Sequence, residues 1–374
     1  MTDRRQDAYA FRVKAAEAAR SRAHPKHEAN GDEQRWAHEN YAMSFTKGLE
    51  HEMKSGLIKD KAHFEAFRRC IDDGYIDPFT AAVPVPRDPK KDRRQWEAPT
   101  AGVAFELEGP DPQAVTMPPA PELGSDELTF EMAEVYELAL LRDVRFIDFM
   151  DAGTHPGQTP GNNAVDASHK RLSKLKYAKA GFPGRPRKVD PGTGKLDDQT
   201  VFRGSAPGVE KGPYISSFLL LGNDTPRIKA KATDGLIEYG GITIDQKIAI
   251  ATPEQDYMQK KKDWLHIQDG FEAKPVKDEF TGHRRFISTP RDLATYVHFD
   301  ALYEAYLNAA LILWNQKAPT DPAFDQLSGG GKLHQMTAAD SIDRNAGGFA
   351  LYGGPHVLTL VTEVATRALK AVRY

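Results

Sequence analysis

A chain of 374 residues can bury a substantial core and corresponds to one large domain or two to three ordinary ones. Its 40% hydrophobic and 28% charged residues place it among globular rather than disordered proteins, and a formal net charge of -3 gives no electrostatic case for binding nucleic acid. The single cysteine, Cys70, excludes an internal disulfide and any cysteine-based zinc site.

Residues 1–22 are polar and charged, without the apolar run of a secretory signal. No stretch approaches the ~18 uninterrupted apolar residues that span a bilayer, so a soluble protein, cytoplasmic by default, is expected. Residues 5–22 read as an alanine-rich basic helix, and Asn30-Gly31-Asp32-Glu33 as a turn. A second helix is predicted from Lys61 to Asp72, with Phe64, Phe67 and Ile71 on one face. From Pro78 to Pro121 proline recurs and no period persists, which predicts an extended arm. Ser125, followed by Asp126 and Glu127, suits a helix start; Leu128, Met132, Val135 and Leu138 then mark an apolar stripe to about Val144.

Residues 152–214 read as loop with a short helix near Ala167 to Lys179, and Ile242–Ile244 and Ile248–Ile250 as short strands. The strongest helix is predicted from Pro290 to Trp314, with Thr289 at its N-cap and proline at the first helical position. Apolar on most sides, it is expected to be central and largely buried. A glycine-rich loop follows from Ser328 to Gly331, then a last helix from about Val357 to Tyr374 with Leu358, Val361, Ala365, Ala368 and Val372 on one face. Neither glycine nor proline stops that helix, so it is expected to be cut rather than finished.

Most apparent motifs fail on their chemistry. Gly329-Gly330-Gly331-Lys332 and Gly192-Thr193-Gly194-Lys195 lack the first glycine of a phosphate loop and the hydroxyl residue after the lysine. Ser173-Lys174-Leu175-Lys176 has no partner motif, and there is neither a His-Glu-x-x-His pair nor a Gly-x-Ser-x-Gly elbow, so no metal ligand set is expected. Asp300 and Glu304 are different. On a continuous helix they share the stripe of Leu293, Val297, Leu307 and Leu311. Either that part of the stripe meets water, or each carboxylate needs a cationic or multiply hydrogen-bonded partner. His298, one step away, joins that network or is a satisfied core histidine.

Several segments, in order, resemble the algal and bacterial vanadium-dependent haloperoxidases of the bromoperoxidase type. They are Ala23-His24-Pro25 through Asn30-Gly31-Asp32-Glu33, Thr46-Lys47-Gly48-Leu49, and Pro118 to Pro121 leading to Ala139–Val144. Gly212–Ser216 with Phe218-Leu219-Leu220, Thr243–Lys247, Asp256-Tyr257-Met258, Trp264-Leu265 and Gln268-Asp269-Gly270 follow. Arg291–Ala294 with Tyr296-Val297-His298, and Gly353–His356 with Arg367–Ala371, complete the series.

The resemblance implies an all-α helical bundle of the vanadium haloperoxidase and acid phosphatase type, here incomplete and carrying long loops rich in proline and glycine. It implies N-terminal helices and an arm over 1–121 and a bundle portion over 122–374. The family oxidises halide with hydrogen peroxide, using vanadate as a Lewis acid held by a lysine, two arginines, a Ser-Gly pair and two histidines. Its Pro-Ser-Gly-His signature is absent from this sequence, and Lys179 to Arg185-Pro186 is one residue too short for its Lys, Arg-Pro pattern. No catalytic, vanadate-binding or metal residue is therefore carried over; Asp300, Glu304 and His298 stand as candidates behind the ligands. The chain is expected to precede the cofactor site, to bind no vanadate alone, and to form a homo-oligomer without nucleic acid or membrane. Two alternatives are a scaffold subunit completed in trans by a second chain and part of an acid-phosphatase-like relative.

Overall fold

In this computed structural model the described residues are 3–73, 110–149, 156, 163–181, 185, 187–204, 208–273, 276–316, 318, 349–351 and 353–373. Their helices are α1 (Arg4–Arg20), α2 (Asp32–Arg35), α3 (Lys61–Asp73), α4 (Asp126–Leu140), α5 (Asn163–Leu172), α6 (Lys176–Ala180), α7 (Lys261–Gln268), α8 (Pro290–Phe299), α9 (Glu304–Asn315) and α10 (Gly354–Arg373). The strands are β1 (Leu236–Tyr239), β2 (Ile242–Asp245), β3 (Ile248–Ala251) and β4 (Phe280–Arg285). Helix dominates, as expected for an all-α fold. Both expected strands are present, but not as each other's partners: β2 pairs antiparallel with β1, and β3 with β4. Most of the expected proline-rich arm, and the glycine-rich loop from Ser328 to Gly331, lie outside the described residues.

The chain divides into two compact units. The first comprises residues 1–125, 255–277 and 367–374; the second comprises 126–254 and 278–366. In the first unit, Leu49, Ile58, Phe64, Phe67 and Cys70 form a core, with the tilted ring of Tyr41 4.1 Å from that of Phe64. Phe64, Phe67 and Cys70 recur at helical spacing along α3 and give that short helix its buried face.

The second unit has two clusters. Phe130, Leu172, Tyr177, Ala178 and Val201 form one; Leu141, Phe149 and Val165 form the other. Helix α4 stops at Leu140, short of the expected Val144, and its orientation differs from the sequence reading. Its buried residues are Glu127, Phe130, Glu134 and Glu137, whereas Met132 and Val135 of the expected stripe are exposed.

The expected helix from Pro290 to Trp314 is two helices. Thr289 and Asp292 form a reciprocal capping box at the start of α8, as the sequence suggests. At Asp300 the backbone turns extended, with ψ 153°. Glu304, the first residue of α9, accepts a hydrogen bond from the Ala301 N–H at 3.0 Å. Acidic side chains that bond nearby backbone compete with helix continuation, which explains a break in a segment without glycine or proline. Nor is the pair central and largely buried: only Asp292 in α8, and Asn308 and Ile312 in α9, are buried, while Val297 is 62% exposed.

Helix α10 has an amphipathic sequence but no buried residue. Leu360 and Val364 on it, and Phe299, Leu302 and Tyr306 near α8 and α9, are exposed. Apolar surface of this kind promotes association. The purified chain is expected to enhance the fluorescence of a hydrophobic dye and to self-associate with rising concentration; a dye-silent, strictly monomeric species in light scattering would contradict this.

Candidate functional site

Three acids on one face of α4 each meet a cation delivered from the segment that follows. Residues 127, 134 and 137 share a face because helical positions three, four and seven apart lie above one another. Glu127 is ion-paired with Arg185, and Glu137 with Arg171 in a two-pronged hydrogen bond. That bond holds the Glu137 carboxyl below the usual carboxylate range, against the opposing effect of burial.

The middle pair lies deepest. Lys188 has 0% exposure, and its ammonium donates to the carbonyls of Thr200 at 2.9 Å and Arg203 at 2.8 Å, with Glu134 Oε1 at 3.7 Å. Glu134 accepts the Phe202 N–H at 2.7 Å. Burial pushes the Glu134 carboxyl up to about 7, outweighing Lys188 and the Phe202 bond, and burial also lowers the Lys188 ammonium. Arg203, 3.8 Å above the Tyr214 ring, donates to the carbonyls of Asp198 and Val201. The network ties the loop from Lys188 to Arg203 down onto α4.

A second network surrounds the start of α8. Arg291 grips Asp143 with two bonds of 2.6 and 2.8 Å, lowering that carboxyl's pKa. Arg285 grips Asp292 with two bonds of 3.0 Å, and Asp292 also accepts from the Ser288 N–H and hydroxyl. Such paired contacts fix orientation as well as charge.

The candidates behind the ligands stand apart from both networks. Because the helix breaks at Asp300, the single stripe carrying Asp300 and Glu304 does not form. Asp300 is half-buried at the end of α8, Glu304 is half-buried in the first turn of α9, and His298 is exposed with its ring edge-on to Phe299 at 4.6 Å. No ion pair to Asp300 or Glu304 occurs among the described residues. The Tyr296 hydroxyl is buried without a hydrogen-bond partner among the described residues, and its pKa is raised by burial first, then by the charges of Glu304 and Asp300.

An oxyanion such as vanadate needs several cationic donors converging on one space. Here Arg171, Arg185, Arg285 and Arg291 face carboxylates, and Lys188 and Arg203 face carbonyls. These six cations are thus already engaged, and among the described residues no group of three or more histidine, cysteine or acidic residues could hold a metal ion. No described helix is long and apolar enough to cross a membrane.

Vanadium-dependent bromoperoxidases from Corallina pilulifera and Corallina officinalis are each 38% identical to this chain over 97% of its length. By sequence, the chain is similar to vanadium-dependent bromoperoxidases over nearly its whole length. It spans 64% of the length of those two relatives. The vanadium-dependent bromoperoxidase of Ascophyllum nodosum is 29% identical over 87% of the chain and 51% of its own length. The fold agrees. A homohexameric second vanadate-dependent bromoperoxidase from Ascophyllum nodosum superposes with a TM-score of 0.66 at 25% identity, over 96% of this chain and 52% of that one. No family model matches.

The sequence anticipated neither network. Arg171, Arg185 and Lys188 lie in a stretch whose lysines and arginines look solvent-facing, and only their offset from the α4 glutamates in space reveals the pairing. A signal was present in the spacing: Glu127, Glu134 and Glu137 follow the helical period as faithfully as the apolar residues do.

Proposed function

We propose that this chain is the scaffold portion of a vanadium-dependent haloperoxidase, an enzyme that oxidises bromide with hydrogen peroxide to a hypohalous species. The observation that carries this reading is the collinear match over 97% of the chain to bromoperoxidases of which it spans 64%. The Pro-Ser-Gly-His signature is not in the sequence, so vanadate, peroxide and halide would meet groups that this chain does not supply. A subunit completed in trans fits the same observation. The acid-phosphatase alternative has less support, since all three curated relatives are bromoperoxidases. Homo-oligomerisation follows by analogy with the homohexameric neighbour.

The test is to produce the chain together with polypeptide carrying the signature and assay bromination. Vanadate-dependent dye bromination by the combination supports the proposal; a folded combination that hydrolyses phosphate esters but oxidises no bromide overturns it.

Within that enzyme, Asp300, with Glu304 and His298 beside it, is proposed to orient a cationic side chain of the cofactor site without touching vanadate. Two acids with no ion-pair partner among the described residues, beside a Tyr296 hydroxyl that has no hydrogen-bond partner among them, support the assignment. In the complete enzyme Asp300→Asn is expected to weaken vanadate affinity about 10- to 100-fold, the scale typical of lost outer-shell support. Unchanged affinity in a vanadate titration would remove Asp300 from that role.

A further inference from the structure

Two segments that the sequence singled out, Thr46–Leu49 and Gln268–Gly270, meet within the first unit. The Gly48 N–H donates to the Gln268 carbonyl at 2.6 Å. A Cβ on Gly270, whose φ is +89°, would lie 3.3 Å from Gly48 Cα, so the close approach favours glycine there. This contact carries three side chains together. His51, with a side-chain exposure of 0%, places Nδ1 2.9 Å from Asp269 Oδ1 and Nε2 3.0 Å from Thr46 Oγ1.

The proton positions follow from the partners. A carboxylate only accepts, so Nδ1 carries the ring hydrogen; Nε2 is then the acceptor and takes the hydrogen bond of the Thr46 hydroxyl. Asp269 Oδ1 also accepts the His51 main-chain N–H at 2.9 Å, so one carboxylate fixes both backbone and ring. Thr46 is only half-buried. Lys47, the next residue, is exposed, and its main-chain N–H has no acceptor among the described residues. A hydroxyl hydrogen-bonded to an imidazole that is itself held by a carboxylate, beside a free N–H, has the parts of an acyl-transfer site.

We propose that Thr46 is a nucleophile toward small, unhindered esters, with His51 as its general base and Asp269 as the residue that positions the ring. Thr46 Oγ attacks the ester carbonyl while its proton passes to His51 Nε2, and the oxyanion meets the Lys47 N–H. The C–O bond to the leaving group breaks and His51 returns the proton to the departing alkoxide, leaving an acyl-Thr46 ester. Water, deprotonated by His51, then attacks that ester, and the acid and free Thr46 are released. No oxidant or further reactant is needed.

The experiment uses the whole chain with a fluorophosphonate probe, mapped by peptide mass spectrometry, and p-nitrophenyl acetate as a turnover substrate. The expected result is a label on Thr46, lost in Thr46→Ala and retained in Thr46→Ser. Asp269→Asn, with unchanged circular dichroism, is expected to slow turnover on the order of 100- to 10,000-fold, the range seen when an orienting carboxylate is neutralised. No label on Thr46 in the folded wild-type chain overturns the proposal, as does turnover equal in wild type and Thr46→Ala. If Asp269→Asn does not fold, the wild-type label and the Thr46→Ala and Thr46→Ser pair decide alone. A purely architectural cluster predicts lower stability in the variants with no label.

Discussion

Supplied with vanadate, hydrogen peroxide and bromide, the isolated chain is expected to brominate a phenolic dye only at the background rate. The proposed activity depends on an oxyanion held by several converging donors, and electrostatic stabilisation of that kind is worth most where the donors are fixed in advance. In this chain Arg185, Arg171, Arg291 and Arg285 are engaged by Glu127, Glu137, Asp143 and Asp292. Recruiting them to vanadate would strand those carboxylates. The expected loss is therefore complete rather than graded. Dye bromination above background that requires both vanadate and peroxide would overturn it, and an equilibrium dialysis showing no retained vanadate would support it independently.

Lys188→Met is expected to lower the stability of the second unit by about 3–5 kcal/mol, the usual cost of removing one partner from a buried charge pair. The substitution strands the carbonyls of Thr200 and Arg203 and leaves Glu134 without its cation, while the loop from Lys188 to Arg203 loses its anchor to α4. Glu134→Gln should cost far less, because an amide oxygen can still accept the Phe202 N–H. The two variants also separate in their pH dependence. In the folded chain burial pushes the Glu134 carboxyl from its ordinary 4.5 up to about 7, so the native state keeps a proton that the unfolded state releases. That contribution is present below pH 4.5 and is lost as pH rises through 7, an effect of about 3 kcal/mol. Lys188 acts in the opposite sense, since its lowered pKa costs stability that returns only as pH climbs toward 10.5. Thermal melts between pH 4.5 and 7.5 should therefore show wild type losing this term and Glu134→Gln lacking it. A Lys188→Met melt matching wild type would mean that the ammonium contributes nothing.

The sequence by itself determined the helical class, the places of α1, α3 and the start of α8, the two apolar strands, and the likeness to the bromoperoxidases. These rest on information local to the chain: period, capping residues and proline at a first turn act within a few positions. The ordered series of segments extends the same local information along nearly the whole length. Three features were decided only by tertiary structure. Helix α4 buries glutamates and exposes Met132 and Val135, because Arg171, Arg185 and Lys188 make the charged face the better-satisfied one. The segment from Pro290 to Trp314 breaks at Asp300, where Glu304 finds the Ala301 N–H and Phe299 packs against Phe280 of β4 at 5.9 Å. Thr46 and His51 find Asp269 more than two hundred positions away. A periodic pattern records which residues share a face of a helix, but whether that face is buried depends on the free energy of whatever packs against it.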